Sequence, residues 1–222
     1  MTDGLELLYE DAHLVAVNKP AWWVVHPTRG ARGAKLVLKV LRDQLGQRVY
    51  PVHRLDRQAS GILVMARSSE IAARLSDDVR EGRWLKRYVA LCRGVIDGSL
   101  RIDHPVPEGE ARRPARTEVE PLEVYCERYT LVQVRPLAGR RHQIRYHLKH
   151  VSHPLIGDAN YGQGRINRFF RESFGLDRLF LHAGALRLDH PVENRFVELA
   201  CPLPAELEQV LARLAAYTGP VL

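Results

Sequence analysis

Short apolar runs bounded by turn residues dominate the chain, and helical spacing appears only in patches. Residues 5–10 and 14–18 are apolar runs separated by Asp11-Ala12-His13, which predicts two strands around a turn. Lys19-Pro20 ends the second run, because proline donates no backbone hydrogen bond and holds its predecessor extended. Residues 22–25 resume an extended apolar segment. Leu36, Val37, Val40, Leu41 and Leu45 then recur at helical spacing, with Gly46 where a left-handed terminating residue belongs. Residues 50–52 and 62–66 predict two strands flanking a loop at 53–61. Ser68 or Ser69 is placed to cap a helix carrying Ile71, Ala72, Leu75 and Val79, which Gly82 stops.

Residues 84–92 alternate well enough for a strand, and 117–125 with 129–135 predict a strand pair. Pro105, Pro107, Gly109 and Pro114 make 103–116 read as loop. A helix is expected from about Arg141 to His150, with Ile144 and Leu148 facing inward. Residues 157–178 carry several glycines and many arginines and read as a long polar connection. Two late strands at 179–188 and 195–200 and an amphipathic helix at 206–217 close the chain. Strands and helices mix without regular alternation, so the expected class is α+β rather than a doubly wound sheet, in a single domain over residues 1–222.

Composition narrows the class. With 45% hydrophobic and 27% charged residues the chain can bury a core, which excludes a disordered or low-complexity protein. The longest early apolar stretch is broken by Asn18-Lys19-Pro20, short of the roughly 20 residues a membrane helix needs. The N-terminus carries no basic-then-apolar signal pattern. Three scattered cysteines, Cys92, Cys126 and Cys201, fit reduced thiols in a cytoplasmic protein better than a disulfide framework. The net charge of +7 points to a polyanionic partner, with nucleic acid ahead of membrane. Residues 135–150 sharpen this, holding five Arg or Lys and no Asp or Glu.

Three features can carry chemistry. Asp56 is the only acid between Asp43 and Glu70, and Arg48, His53, Arg54, Arg57 and Arg67 surround it in sequence. It sits in a loop between strands, where it is either a carboxylate able to act on an electron-deficient sugar carbon or one half of a surface ion pair. A hydrolytic glycosidase usually needs a second carboxylate, and none accompanies it here. Arg141 and Arg145 are four apart, so on one helix they would share a face able to grip phosphate or a carboxylate. Lys86, Tyr88 and Ala90 would share one strand face, where Tyr88 is either a core side chain or a platform for an unstacked base. His147, His150 and His153 recur every three residues, but no carboxylate or cysteine joins them, so no metal site is expected.

These segments resemble the RluA family of pseudouridine synthases. The resemblance rests on His53-Arg54-Leu55-Asp56-Arg57-Gln58-Ala59-Ser60-Gly61, where Ala59 replaces the family's usual Thr. It continues, in family order, through Asn18-Lys19-Pro20, Lys86-Arg87-Tyr88-Val89-Ala90, Gly139-Arg140-Arg141-His142-Gln143-Ile144-Arg145, His153-Pro154-Leu155-Ile156-Gly157-Asp158 and Leu181-His182-Ala183. The resemblance implies a mixed, mainly antiparallel central sheet flanked by helices around an active-site cleft. It implies isomerisation of uridine to pseudouridine in RNA, with no cofactor and no metal. Asp56 matches the catalytic aspartate, Tyr88 the tyrosine that meets the base, and Arg145 the arginine that pairs with the aspartate. Arg54 matches the arginine that fills the space of the flipped nucleotide, and His53, Arg141, Gln143 and Ile144 are expected on the substrate-binding side. The first family strand begins near Leu5, so no S4-type RNA-binding domain is expected ahead of it. RNA contacts are expected from the basic helix near 135–149 and from loops at 29–35 and 112–116. Loop-level similarity around Gly157-Asp158, Asn167-Arg168 and Phe174-Gly175-Leu176 points to uridine 65 of tRNA, with a ribosomal RNA or another tRNA uridine as the alternative. A monomer is expected, since no strongly apolar exposed face is evident. A catalytically silent RNA-binding relative is the rival reading from another class.

Overall fold

A computed structural model describes residues 4–27 and 33–222. The chain runs β1 (Glu6–Glu10), β2 (Leu14–Lys19), α1 (Val37–Leu45), β3 (Tyr50–Pro51), β4 (Ser60–Ala66) and α2 (Ser69–Arg80). It continues through β5 (Leu85–Arg93), β6 (Leu100–Asp103), β7 (Val106–Glu108), β8 (Ala111–Arg113), β9 (Arg116–Tyr125) and β10 (Tyr129–Pro136). The last third holds α3 (Gln143–His150), α4 (Gly164–Phe174), β11 (Leu181–Asp189), β12 (Phe196–Ala200) and α5 (Ala205–Ala215). Two compact units result, Met1–Lys86 with Ala183–Cys201, and Arg87–His182 with Pro202–Leu222. The α+β class expected from the sequence is observed: the strand ladders within each unit are antiparallel, with helices interspersed.

In the first unit β2 lies between β1 and β4, with Glu10 opposite Val15 and Leu14 opposite Ala66. All seven residues of β4 are buried, which is why Ile62–Ala66 reads as an unbroken apolar run rather than an alternating one. Ser68 caps α2 through its hydroxyl, which accepts from Ile71 N at 3.2 Å, and α2 turns Ile71 and Leu75 onto the core. Leu14, Ala16, Ile62, Val64, Trp84, Leu186 and Val197 fill that core. Gly61 is required where it stands: its φ is +108°, and a Cβ there would strike the backbone of Ala183.

In the second unit the strands run β5-β10-β9-β6, all antiparallel. The β9–β10 ladder shifts register between Leu131 and Val132, with Glu123 and Pro121 as their partners. Leu122 is thus the extra residue of a bulge beside a proline that has no N–H to give. The core joins Leu91, Tyr129, Phe170, Phe174, Phe180, Leu207, Val210 and Leu214. Each such apolar side chain contributes about 1.5–3 kcal/mol on full burial.

Three expectations need correction. Residues 103–116 are not loop throughout, since β7 and β8 form a hairpin, Val106 opposite Arg113. Residues 157–178 hold the helix α4, whose Ile166, Phe170 and Phe174 are buried at four-residue spacing. The arginines between them mark the outer face of an amphipathic helix rather than a polar connection. The helix α3 begins at Gln143, not near Arg141, because His142 takes a left-handed conformation with φ 54°. Arg141 and Arg145 therefore do not share a helix face; Arg141 is exposed in the preceding turn and Arg145 is buried.

Candidate active site

The loop between β3 and β4 carries Asp56 and is clamped from two sides. Lys19 is fully buried, and its ammonium donates to the carbonyls of Pro20 at 2.7 Å, Trp23 at 3.0 Å and Arg57 at 3.4 Å. Trp22 N also donates to Arg57 O at 2.6 Å, so the Asn18-Lys19-Pro20 turn and the Asp56 loop are held together by backbone carbonyls gathered on one cation. On the other side, His53 Nε2 accepts from Val64 N at 2.9 Å, tying the start of the loop to β4. Leu55 and Ala59 are buried, and Ala59 N donates to Asp56 O at 3.1 Å, closing a tight turn. Asp56 itself is half-buried at the head of that turn, between exposed Arg57 and buried Leu55. Arg54 is exposed. Arg57 lies over the ring of Trp22 at 5.6 Å.

His53 keeps some exposed surface as a residue, but its ring packs edge-on to Trp84 at 5.2 Å. Burial, and then the nearby charge of Lys86, push its pKa down to about 3. The neutral ring that this favours is the form able to accept from Val64 N. Because the folded value lies below the unfolded value of 6.5, the unfolded chain takes up the proton first as pH falls. The contribution is complete above pH 6.5 and is lost as pH drops toward 3. Stability to urea is therefore expected to fall as pH drops across that window, and His53→Gln should remove most of the part lying above the carboxylate range. An unchanged slope in the variant would contradict this reading. Lys86 acts in the same sense in a higher window: burial lowers it to about 8, so its cost to the fold is relieved as pH rises above 8.

Tyr88 is half-buried on β5, opposite Val134 of β10, and alternation puts it on the same strand face as Lys86. Lys86 is buried with its amine 5.6 Å from the Trp84 ring centre.

Arg145 projects from the buried side of α3. Its Nε donates to Asp158 Oδ2 at 2.7 Å and its Nη2 to Asp158 Oδ1 at 2.8 Å, a two-pronged pair that fixes the plane of the guanidinium. The Asp158 side chain is 0% exposed and that of Arg145 10%. Asp158 Oδ1 also accepts from Asn160 N at 2.9 Å and Tyr161 N at 3.0 Å. Burial alone would raise the Asp158 pKa, but the Arg145 bonds and charge, with the two backbone donors, outweigh it and hold the group below its ordinary value. Asn167 of α4 completes the support, accepting from Gly157 N and donating to Asp158 O, both at 2.9 Å. The ring of Tyr161 lies 5.3 Å from the Arg145 guanidinium.

The remaining residues singled out from the sequence fall into two kinds. The Gln143 carboxamide accepts from Arg140 N at 3.1 Å and donates to Arg116 O at 2.8 Å and Thr117 Oγ1 at 3.1 Å, so it clasps the turn ahead of α3 to β9. Ile144 is 6% exposed. Among the three periodic histidines, His147 is buried with Nδ1 at 2.8 Å from Thr117 Oγ1 and Nε2 at 2.8 Å from His104 O. His153 Nδ1 lies 3.0 Å from Arg93 O, and His150 stacks on His104. Residues 29–32 of the expected basic loop lie outside the described residues.

Two residues carry roles that sequence reasoning did not assign, Lys19 and Asp158. Both stand inside recognised motifs. The cost that demands a partner comes from burying each charge, and burial is not written in either motif.

A buried guanidinium and a clamped carboxylate loop within antiparallel α+β units suit a modifying enzyme, and the fold has solved counterparts. Human RNA Pseudouridylate Synthase Domain Containing 1 matches with a TM-score of 0.75 and 27% identity, covering 99% of this chain and 98% of that one. Human RNA Pseudouridylate Synthase Domain Containing 4 shares the fold with the same TM-score, covering 94% of this chain and 92% of that one. The family described as RNA pseudouridylate synthase matches residues 13–150, and the chain belongs to that family. It is an isomerase that converts uridine in RNA to pseudouridine. Among its relatives, tRNA pseudouridine synthase C of Haemophilus influenzae is 37% identical over 230 residues, covering 93% of this chain and 96% of that protein. The protein of the same name from Vibrio cholerae is 39% identical, covering 97% of this chain and 96% of its own. No helix among the described residues is long and apolar enough to cross a membrane.

Proposed function

We propose that the enzyme modifies a tRNA uridine, at position 65, with Asp56, Tyr88 and Arg145 as the groups that act on it. The observation that carries the assignment of Asp56 is the clamp on its loop: a fully buried lysine and a neutral histidine are both committed to backbone groups that hold this one turn. Structure spent in this way around a half-buried carboxylate is the preorganisation that catalysis on a bound sugar requires. In the reaction the C1′–N1 bond breaks with its electron pair leaving on the uracil. The base turns, C5 bonds to C1′, the proton on C5 departs, and N1 gains one. Asp56 acts on the ribose side, and Tyr88 meets the base. Arg145, its plane set by Asp158, takes the role that the RluA resemblance gives it, the partner of the catalytic aspartate. Arg54 fills the stack vacated by the target nucleotide, an opening that costs a few kcal/mol. Arg141 contacts phosphate, while His53 and Gln143 serve the substrate by fixing the loops beside it.

On this reading residues 1–222 serve as a single catalytic domain. Support for tRNA comes from near-full-length relatives that are named for it, and position 65 rests on the resemblance of the 156–176 segment. The test is carbodiimide mapping of pseudouridine in RNA from cells lacking the protein. Loss at tRNA position 65 alone is expected; intact tRNA with an altered ribosomal RNA site would overturn the substrate assignment while leaving the chemistry.

A further inference from the structure

The second unit carries a cluster of rings and cations that the catalytic residues do not use. His104, between β6 and β7, stacks on His150 of α3 with ring centres 3.6 Å apart and planes 16° from parallel. Tyr146, one helical turn before His150, lies near-parallel to His104 at 6.0 Å. Arg112 of β8 brings Nη1 to 3.4 Å from His104 Nε2. A guanidinium only donates, so that nitrogen accepts and His104 is neutral. His150 and Arg112 are exposed and His104 is half-buried. The floor is rigid: His104 N donates to Ala115 O at 3.2 Å, and His104 O is held by His147 Nε2 at 2.8 Å.

The charges facing the stack come from four elements. Arg112 lies on β8, and Lys149 and His147 on α3; Asp103 at the end of β6 is tied to Arg116 of β9 at 2.6 Å. Among the described residues no carboxylate pairs with either stacked ring. Burial, then His150 and Arg112, lower the pKa of His104, so that ring resists protonation as it stands. An anion placed against it would reverse that balance, because it would draw Arg112 to itself and favour the charged form of His104.

We propose that His104, His150 and Arg112 form a phosphodiester-binding site for the RNA substrate, and that this site takes up a proton when RNA binds. The enzyme's substrate is RNA, and a phosphate is small enough to meet Arg112 and both rings at once. The site lies on α3 beyond Arg145, so it grips the strand outside the target nucleotide. Uptake of one proton makes affinity rise with falling pH, up to about tenfold per pH unit where the linkage is complete.

The test is fluorescence-anisotropy titration of the full chain with labelled unfractionated tRNA, and in parallel with ribosomal RNA, from pH 8 to pH 6 at fixed ionic strength. On whichever RNA binds, wild type is expected to bind at least several-fold more tightly at pH 6. His104→Gln should lose most of that dependence, and His104→Lys should bind at pH 8 nearly as tightly as wild type does at pH 6. Thermal unfolding checks that each variant is folded. Wild-type affinity independent of pH would overturn the proposal, as would a His104→Gln variant with the wild-type slope. Weaker binding by His104→Gln at every pH, with the slope intact, would assign the ring to base stacking instead. Binding to ribosomal RNA but not tRNA would count against the tRNA assignment and not against this site.

Discussion

Asp158→Ala is expected to cost about 3–5 kcal/mol of folding stability, the range for removing one member of a buried ion pair. The loss has two parts. The Arg145 guanidinium, 10% exposed, keeps its charge and loses a two-pronged partner. The backbone N–H groups of Asn160 and Tyr161 lose their acceptor too, but Asn160 is exposed and Tyr161 half-buried, so water replaces it in part and this share of the loss is the smaller one. Against a typical net stability of roughly 5–15 kcal/mol, this is enough to lower the urea midpoint strongly. Asp158→Asn should be milder, since a carboxamide oxygen can still accept from the two backbone groups while the charge is gone. Where Asp158→Asn is folded, its turnover should still fall, because the plane of Arg145 is no longer fixed. A stability change under about 1 kcal/mol in Asp158→Ala would mean that other groups hold Arg145 and that this pair is incidental.

The segments proposed as catalytic are more legible in the sequence than their supports. Asp56, Tyr88 and Arg145 stand in ordered motifs, and the strands leading to the first two were visible in the apolar runs at 62–66 and 84–92. The supports depend on partners distant in sequence. Lys19 acts on a carbonyl 38 residues away, and Asp158 on a guanidinium 13 residues before it, so neither role has a local pattern. The helix α4 is hard to see in the sequence because Arg165, Arg168 and Arg171 alternate with its apolar residues. The start of α3 is hidden for a different reason. A left-handed His142 separates Arg141 from Arg145, and nothing in a histidine announces a positive φ. The hairpin of β7 and β8 resembles loop in sequence because Pro107 stands in a two-stranded ribbon whose outer edges need no ladder hydrogen bonds.

Asp56→Asn should abolish the isomerisation while leaving the fold in place. The change keeps the size of the side chain and its site at the head of the turn, where the Lys19 and His53 clamps act on backbone groups of neighbouring residues rather than on the carboxylate's own carbon. It removes the one charge proposed to act on the ribose. Loss of the residue that carries the chemistry lowers turnover by about 10⁴-fold or more when no neighbour can replace it. The direct measurement is release of tritium from RNA labelled at uridine C5, since formation of the C5–C1′ bond expels that label. Wild type is expected to release tritium, and Asp56→Asn, bound to the same RNA and unfolding near the wild-type midpoint, is expected to release none above background. Tritium release by Asp56→Asn within tenfold of wild type would contradict the assignment of Asp56 as the catalytic carboxylate.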